Sequence, residues 1–151
     1  MKIQFRLFNS NVLLLLAILS LMPTFALSQS RMTELFTNGW HFKPGDVENG
    51  QDQSLDDSKW RLLDLPHDWS IEGKINPENP MGGAGGYFSA GVGWYRKTFD
   101  VPNAWTGKRV SIYFGGVYMK SEVFINGKSL GLHPYGYTSF SYDLTPYLDF
   151  N

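Results

Sequence analysis

Glu122-Val123-Phe124-Ile125-Asn126-Gly127-Lys128-Ser129-Leu130 decides the fold class of this chain. Asn-Gly between two runs of β-type residues is the preferred pair for a two-residue type I′ hairpin, because both residues tolerate the positive φ of that turn. The stretch predicts two antiparallel strands joined at Asn126-Gly127. Outward from it, the same period of two recurs. Residues 94–101 set Tyr95, Lys97, Phe99 and Val101 against Trp94, Arg96, Thr98 and Asp100, and Pro102 closes them, which predicts one strand over the whole segment. In residues 109–114, Val110, Ile112 and Phe114 share a face, and the following Gly115-Gly116 permits a bulge or a close backbone approach.

Toward the N-terminus, Asn38-Gly39-Trp40-His41-Phe42 alternates aromatic with polar residues and stops at Pro44-Gly45, as a strand closed by a turn does. Trp60-Arg61-Leu62-Leu63-Asp64-Leu65-Pro66 predicts another strand, ended by a proline that cannot donate to a ladder. Between them, residues 46–59 carry Asp46, Glu48, Asp52, Asp56 and Asp57, and predict a solvated acidic loop with a helical turn at residues 54–59. Residues 72–93 are rich in Gly, Pro and Asn, and loops of that length are often functional. Near the end, Thr145-Pro146 predicts a short helical turn with Thr145 as N-cap and Pro146 in the first helical position. Little after residue 30 follows a helical period, so the expected fold class is all-β. A sandwich with this many strands is expected to lack its last strands within 151 residues.

Composition narrows the function. A formal net charge of −1 and a pI near 6.3 give no electrostatic reason to expect nucleic acid or an anionic membrane as partner. Without cysteine there is no disulfide, thiolate metal site or Cys nucleophile. The aromatic share of 16% stands out more than the charge does, and aromatics serve cores and interfaces alike.

Lys2 and Arg6 precede an apolar run over residues 12–22, interrupted only by Ser20, and Ala26 and Ser28 follow two apart. This is the layout of a secretory signal peptide, with cleavage expected after Ser28. The run of about 11 residues is well short of the roughly 20 that a permanent membrane span needs. Residues 1–28 are therefore expected to be a removed export signal and residues 29–151 a single β domain, periplasmic or extracellular, with no membrane contact after cleavage.

No local motif carries chemistry by itself. Gly82-Gly83-Ala84-Gly85-Gly86 lacks the Gly-Lys-Ser/Thr of a phosphate-binding loop, and no G-x-S-x-G element is present. His41, His67 and His133 lack the spacing of a zinc site, so neither metal nor cofactor is expected. Asp64, Asp68, Glu72, Glu122 and Asp143 invite a glycosidase reading, but spacing brings no pair together, and Glu122 and Asp143 suit structural roles at a strand start and a turn cap. Two aromatic loops remain as candidate carbohydrate sites. Pro66-His67-Asp68-Trp69 lies where a strand meets the long loop, and competes with a purely structural corner in which Asp68 accepts backbone bonds and Trp69 packs. Tyr135-Gly136-Tyr137 offers ring faces that suit a sugar or a neighbouring domain equally.

At these residues the chain resembles the N-terminal domain of glycoside hydrolase family 2, in its β-galactosidase branch. The resemblance runs through Asn38-Gly39-Trp40-His41-Phe42, Leu65-Pro66-His67-Asp68-Trp69-Ser70, Gly93-Trp94-Tyr95-Arg96-Lys97-Thr98-Phe99, Phe114-Gly115-Gly116-Val117-Tyr118, Val123-Phe124-Ile125-Asn126-Gly127 and Tyr142-Asp143-Leu144-Thr145-Pro146-Tyr147-Leu148. It implies a jelly-roll β-sandwich similar to galactose-binding modules, followed by an immunoglobulin-like domain and a (β/α)8 barrel that holds both catalytic Glu residues. No catalytic residue is then expected in this chain. The resemblance makes His67, Asp68, Trp69, Tyr135 and Tyr137 the candidate sugar contacts. Where some members place an Asp that helps hold a sodium ion, spacing puts Tyr135, so that site is not expected here. Galactosidases, mannosidases and glucuronidases share the domain. The rival readings are a stand-alone carbohydrate-binding module and an interaction domain without sugar contact.

Overall fold

The computed structural model describes residues 31–150. Nearly all of them belong to one compact unit, Leu35–Asn151. The expected signal peptide lies outside the described residues.

The described residues of this unit are all-β, with seven strands: β1 Trp40–Pro44, β2 Arg61–Leu63, β3 Gly93–Arg96, β4 Ser111–Phe114, β5 Ser121–Ile125, β6 Lys128–His133 and β7 Phe140–Asp143. They form three small antiparallel sheets, ordered β2-β1-β3, β4-β7 and β5-β6. The hairpin is where its residues predict it. Asn126 has φ +49° and Gly127 φ +77°, and Ile125 pairs with Lys128 across the turn. The pairing slips at Val123/Phe124, where Gly131 takes φ +127°, a conformation that favours glycine.

Side chains tie the sheets together. Trp94 of β3 stacks on Phe124 of β5 with centroids 5.9 Å apart, and the Tyr142 hydroxyl of β7 donates to the Gly131 carbonyl of β6 at 3.2 Å. Phe114 and Phe140, register partners across β4-β7, stack at 4.9 Å, and His133 of β6 stacks on Phe140 at 4.1 Å. Among the described residues the buried hydrophobic side chains are Phe42, Ile125 and Leu144.

Four expectations need correction. The strand expected over residues 94–101 stops at Arg96, which pairs with His41. Its partner strand leaves one residue later: Gly39 turns with φ +68° and its N–H goes to Asp64 Oδ1 at 2.7 Å, so residues 97–101 have no ladder to join. No helical turn forms at residues 54–59. Asp56 Oδ1 instead accepts the Ser58 N–H at 3.0 Å, a local bond that competes with helix. Nor is this loop wholly solvated, for half-buried Asp57 accepts from Arg96 at 3.1 Å and lies 3.0 Å from His41 Nδ1. At the C-terminal turn, a 3-10 helix over Thr145–Tyr147, the N-cap position falls on Leu144 and not on Thr145, and the preceding Asp143 supplies the side-chain bond, its Oδ1 accepting the Thr145 N–H at 3.0 Å. The Thr145 hydroxyl serves β4's entrance, accepting the Val110 N–H at 2.9 Å.

Candidate functional site

Two aromatic clusters stand out, and they differ in what their polar atoms do. The first surrounds Phe42, whose ring lies 4.9 Å from His67, 4.8 Å from Tyr95 and 6.4 Å from Trp69. β1 puts Phe42 on its buried side, and β3 brings Tyr95 opposite it in register. Beyond the end of β2, His67 tucks in with only 11% of its side chain exposed. Its Nδ1 meets the Tyr95 hydroxyl at 2.8 Å, while Nε2 lies 3.0 Å from Glu72 Oε1 and 2.8 Å from Arg61 Nη2. The same Arg61 nitrogen donates to both Glu72 oxygens, at 2.9 and 2.8 Å. Asp68 Oδ1 accepts from the Ser70 amide at 3.0 Å and hydroxyl at 2.6 Å, capping the 3-10 turn Trp69–Glu72. A Cβ on Gly93 would sit 3.0 Å from Trp69 Nε1, so the missing side chain there admits the indole.

The electrostatics follow the contacts. Burial, with the nearby charges of Asp68 and Glu72 adding to it, pushes the Tyr95 phenol up to about 12, so it stays protonated at physiological pH. Hydrogen bonds from Arg61 and then His67 hold Glu72 below the ordinary value of 4.5. A carboxylate whose pKa is lowered by folding stabilises the fold fully above its unfolded value, and that stabilisation is lost as pH falls through the folded value. Stability should therefore decline below about pH 4.5 in the parent. The Glu72→Gln variant should start lower at pH 7 and fall less steeply over that acid range; equal slopes in urea melts from pH 7 to pH 3 would contradict it.

The second cluster is open to solvent. Tyr135 and Tyr137 leave the end of β6 with ring centroids 5.7 Å apart, and Tyr118, from the loop before β5, meets Tyr137 edge-on at 5.6 Å. Tyr118, Tyr135 and Tyr137 are 61%, 58% and 76% exposed. Gly136 makes the approach possible: a Cβ there would lie 2.5 Å from Tyr118 Cδ2 and 3.1 Å from its Cα. The Lys120 N–H donates to the Pro134 carbonyl at 3.2 Å, and His133 Nε2 bonds Thr138 Oγ1 at 3.1 Å at the base of the loop.

The structure thus gathers His67, Asp68 and Trp69 in one corner and Tyr135 with Tyr137 in another. Among the described residues no ring contact or hydrogen bond joins the two. Tyr118 was not singled out as a site residue by sequence; the tight approach that admits it is at Gly136, while a Cβ on Gly115 would meet nothing within 4 Å. The remaining carboxylates each hold a structural bond. Asp64 accepts from Gly39, Glu122 from Ser129 at 2.6 Å, and Asp143 from Thr145 and Arg109. None of these three shares a hydrogen-bond partner with another among the described residues.

The family described as glycosyl hydrolases family 2, sugar binding domain, matches residues 51–150. The chain belongs to that family. Over 113 residues this glycosyl hydrolase family 2 domain is 59% identical to Beta-galactosidase BoGH2A of Bacteroides ovatus, covering 75% of this chain and 13% of the relative. Among solved structures it is similar to a beta-glycosidase from Bacteroides vulgatus, with a TM-score of 0.73 and 52% identity over 76% of this chain and 15% of the other. Bacteroides uniformis beta-glucuronidase 2 gives a TM-score of 0.71 at 30% identity, over 81% of this chain and 14% of that one. The chain therefore spans only a small part of these relatives. Both the expected family and the expected all-β sandwich are borne out, and the three antiparallel sheets are consistent with a jelly roll. No described helix is long and apolar enough to cross a membrane.

Proposed function

We propose that residues 29–151 form the non-catalytic front domain of an exported, β-galactosidase-like hydrolase, delivered by a signal peptide over residues 1–28 to the periplasm or the cell exterior. The bond is cleaved by a retaining pair of carboxylates on a barrel further along the protein, with an immunoglobulin-like domain between. In this reading Tyr135 and Tyr137, joined by Tyr118, complete the wall of the sugar pocket. The observation that carries it is the solvent-facing tyrosine trio: amphipathic rings that are costly to leave exposed unless they meet a ligand or a partner. The His67, Asp68 and Trp69 corner serves as support, with both His67 nitrogens and Asp68 Oδ1 engaged by its own neighbours. The likeness to a beta-galactosidase at 59% identity favours a β-galactoside over a β-glucuronide.

The test compares turnover of chromogenic β-galactoside and β-glucuronide by the whole protein that carries this domain, and by this chain alone. The galactoside should be the preferred substrate of the whole protein, and the chain alone should turn over neither. Preference for the glucuronide would overturn the substrate assignment, and turnover by the chain alone would overturn the non-catalytic role.

A further inference from the structure

Apart from the tyrosine patch, an open cleft of about 400 Å3 lies beside the end of β1 and the start of β2, lined by Phe42, Lys43, Pro44, Asp56, Lys59, Trp60 and Arg61, and so borders the first cluster. That volume falls in the range of small-ligand pockets, roughly 300–1,000 Å3. Arg61 is engaged with Glu72. Lys43 and Lys59, by contrast, pair with no carboxylate among the described residues. Lys43 Nζ lies over the Trp60 indole, 5.8 Å from its centroid, and the Arg96 guanidinium lies 5.9 Å from the same ring. A cation–π contact positions an ammonium group without neutralising it. Asp56 is the one carboxylate in the lining, and bonds from the Ser58 hydroxyl and amide keep it ionised by lowering its pKa.

These groups select a ligand by exclusion. A neutral sugar would leave both ammonium groups unpaired, and a bare inorganic anion would face Asp56 with nothing to offer it. A sugar ring bearing an acidic group satisfies all of them, its anion meeting the lysines and its hydroxyls donating to Asp56. We propose that the cleft formed by Lys43, Asp56, Lys59 and Trp60 binds a carboxylated or sulfated sugar. It shares no residue with the tyrosine patch, so it would hold a second unit of an acidic glycan and does not depend on which bond the whole enzyme cleaves.

The experiment is calorimetric titration of the chain with a glucuronate-containing disaccharide, a sulfated galactose disaccharide, the neutral galactose disaccharide and inorganic sulfate. At least one acidic disaccharide should bind saturably and more weakly as salt rises; which one binds identifies the acidic group. The Lys43→Gln/Lys59→Gln double variant should lose roughly tenfold in affinity. Lys108→Gln, which changes an exposed lysine outside the cleft, should lose nothing. Failure of both acidic disaccharides to bind, binding of the neutral sugar or of sulfate as tightly, or an unchanged affinity in a folded double variant would overturn the assignment.

Discussion

The Phe42→Ala variant is expected to lose about 3–5 kcal/mol of stability, a large share of the roughly 5–15 kcal/mol that holds a domain folded. Phe42 is 3% exposed, and the aromatic corner converges on it. His67, Tyr95 and Trp69 meet its ring, and the Arg61 guanidinium lies 5.1 Å from its centroid. Truncation removes the transfer energy of a phenyl ring and leaves a cavity that neighbours pinned by hydrogen bonds fill poorly. With so few buried apolar side chains among the described residues, the fold has little to set against that loss. Urea denaturation followed by Trp fluorescence measures it. A cost under about 1 kcal/mol would mean that the corner collapses readily around a smaller residue.

The second large effect comes from adding atoms. Gly50 is buried, and a Cβ there would lie 2.7 Å from three ring atoms of Trp94. The clash is with a ring whose position matters, since Trp94 stacks on Phe124 and links the β2-β1-β3 sheet to the hairpin. Gly50→Ala should therefore cost about 1–3 kcal/mol through overpacking. It should also weaken the stacking, seen as loss of near-ultraviolet circular dichroism from the aromatic residues. Gly45→Ala is the matched control, because no heavy atom lies within 4 Å of its Cβ position; its φ of +90° gives it a backbone strain that Gly50 does not have. A near-ultraviolet signal reduced in Gly45→Ala as much as in Gly50→Ala would show that strain, and not the Trp94 clash, dominates.

What could be read from residues alone was whatever is local. Asn126-Gly127 carries its turn in its own backbone preferences, and Trp40 to Phe42 carry their strand in alternation. Asp143 was legible as a cap because a carboxylate two residues before an amide bonds it without help from elsewhere. Residues 97–101 show the limit. They alternate as a strand should, yet a ladder needs a partner, and the partner's departure is decided by a bond from Gly39 to Asp64, 25 residues apart. The site divides the same way. Tyr135 and Tyr137 stand two apart and were visible as a pair, whereas Tyr118 joins them only through the packing of its ring on Gly136. Likewise His67 was visible, but its partners come from β2, β3 and the following turn.

The most direct test of the central claim uses the whole protein carrying this domain, with Tyr135→Ala/Tyr137→Ala compared with the parent on a chromogenic β-galactoside. If the tyrosines wall the sugar pocket while the chemistry is done elsewhere, KM should rise about tenfold with kcat nearly unchanged, and thermal stability should stay within a few degrees of the parent. An unchanged KM, or a fall in kcat with KM intact, would contradict the account.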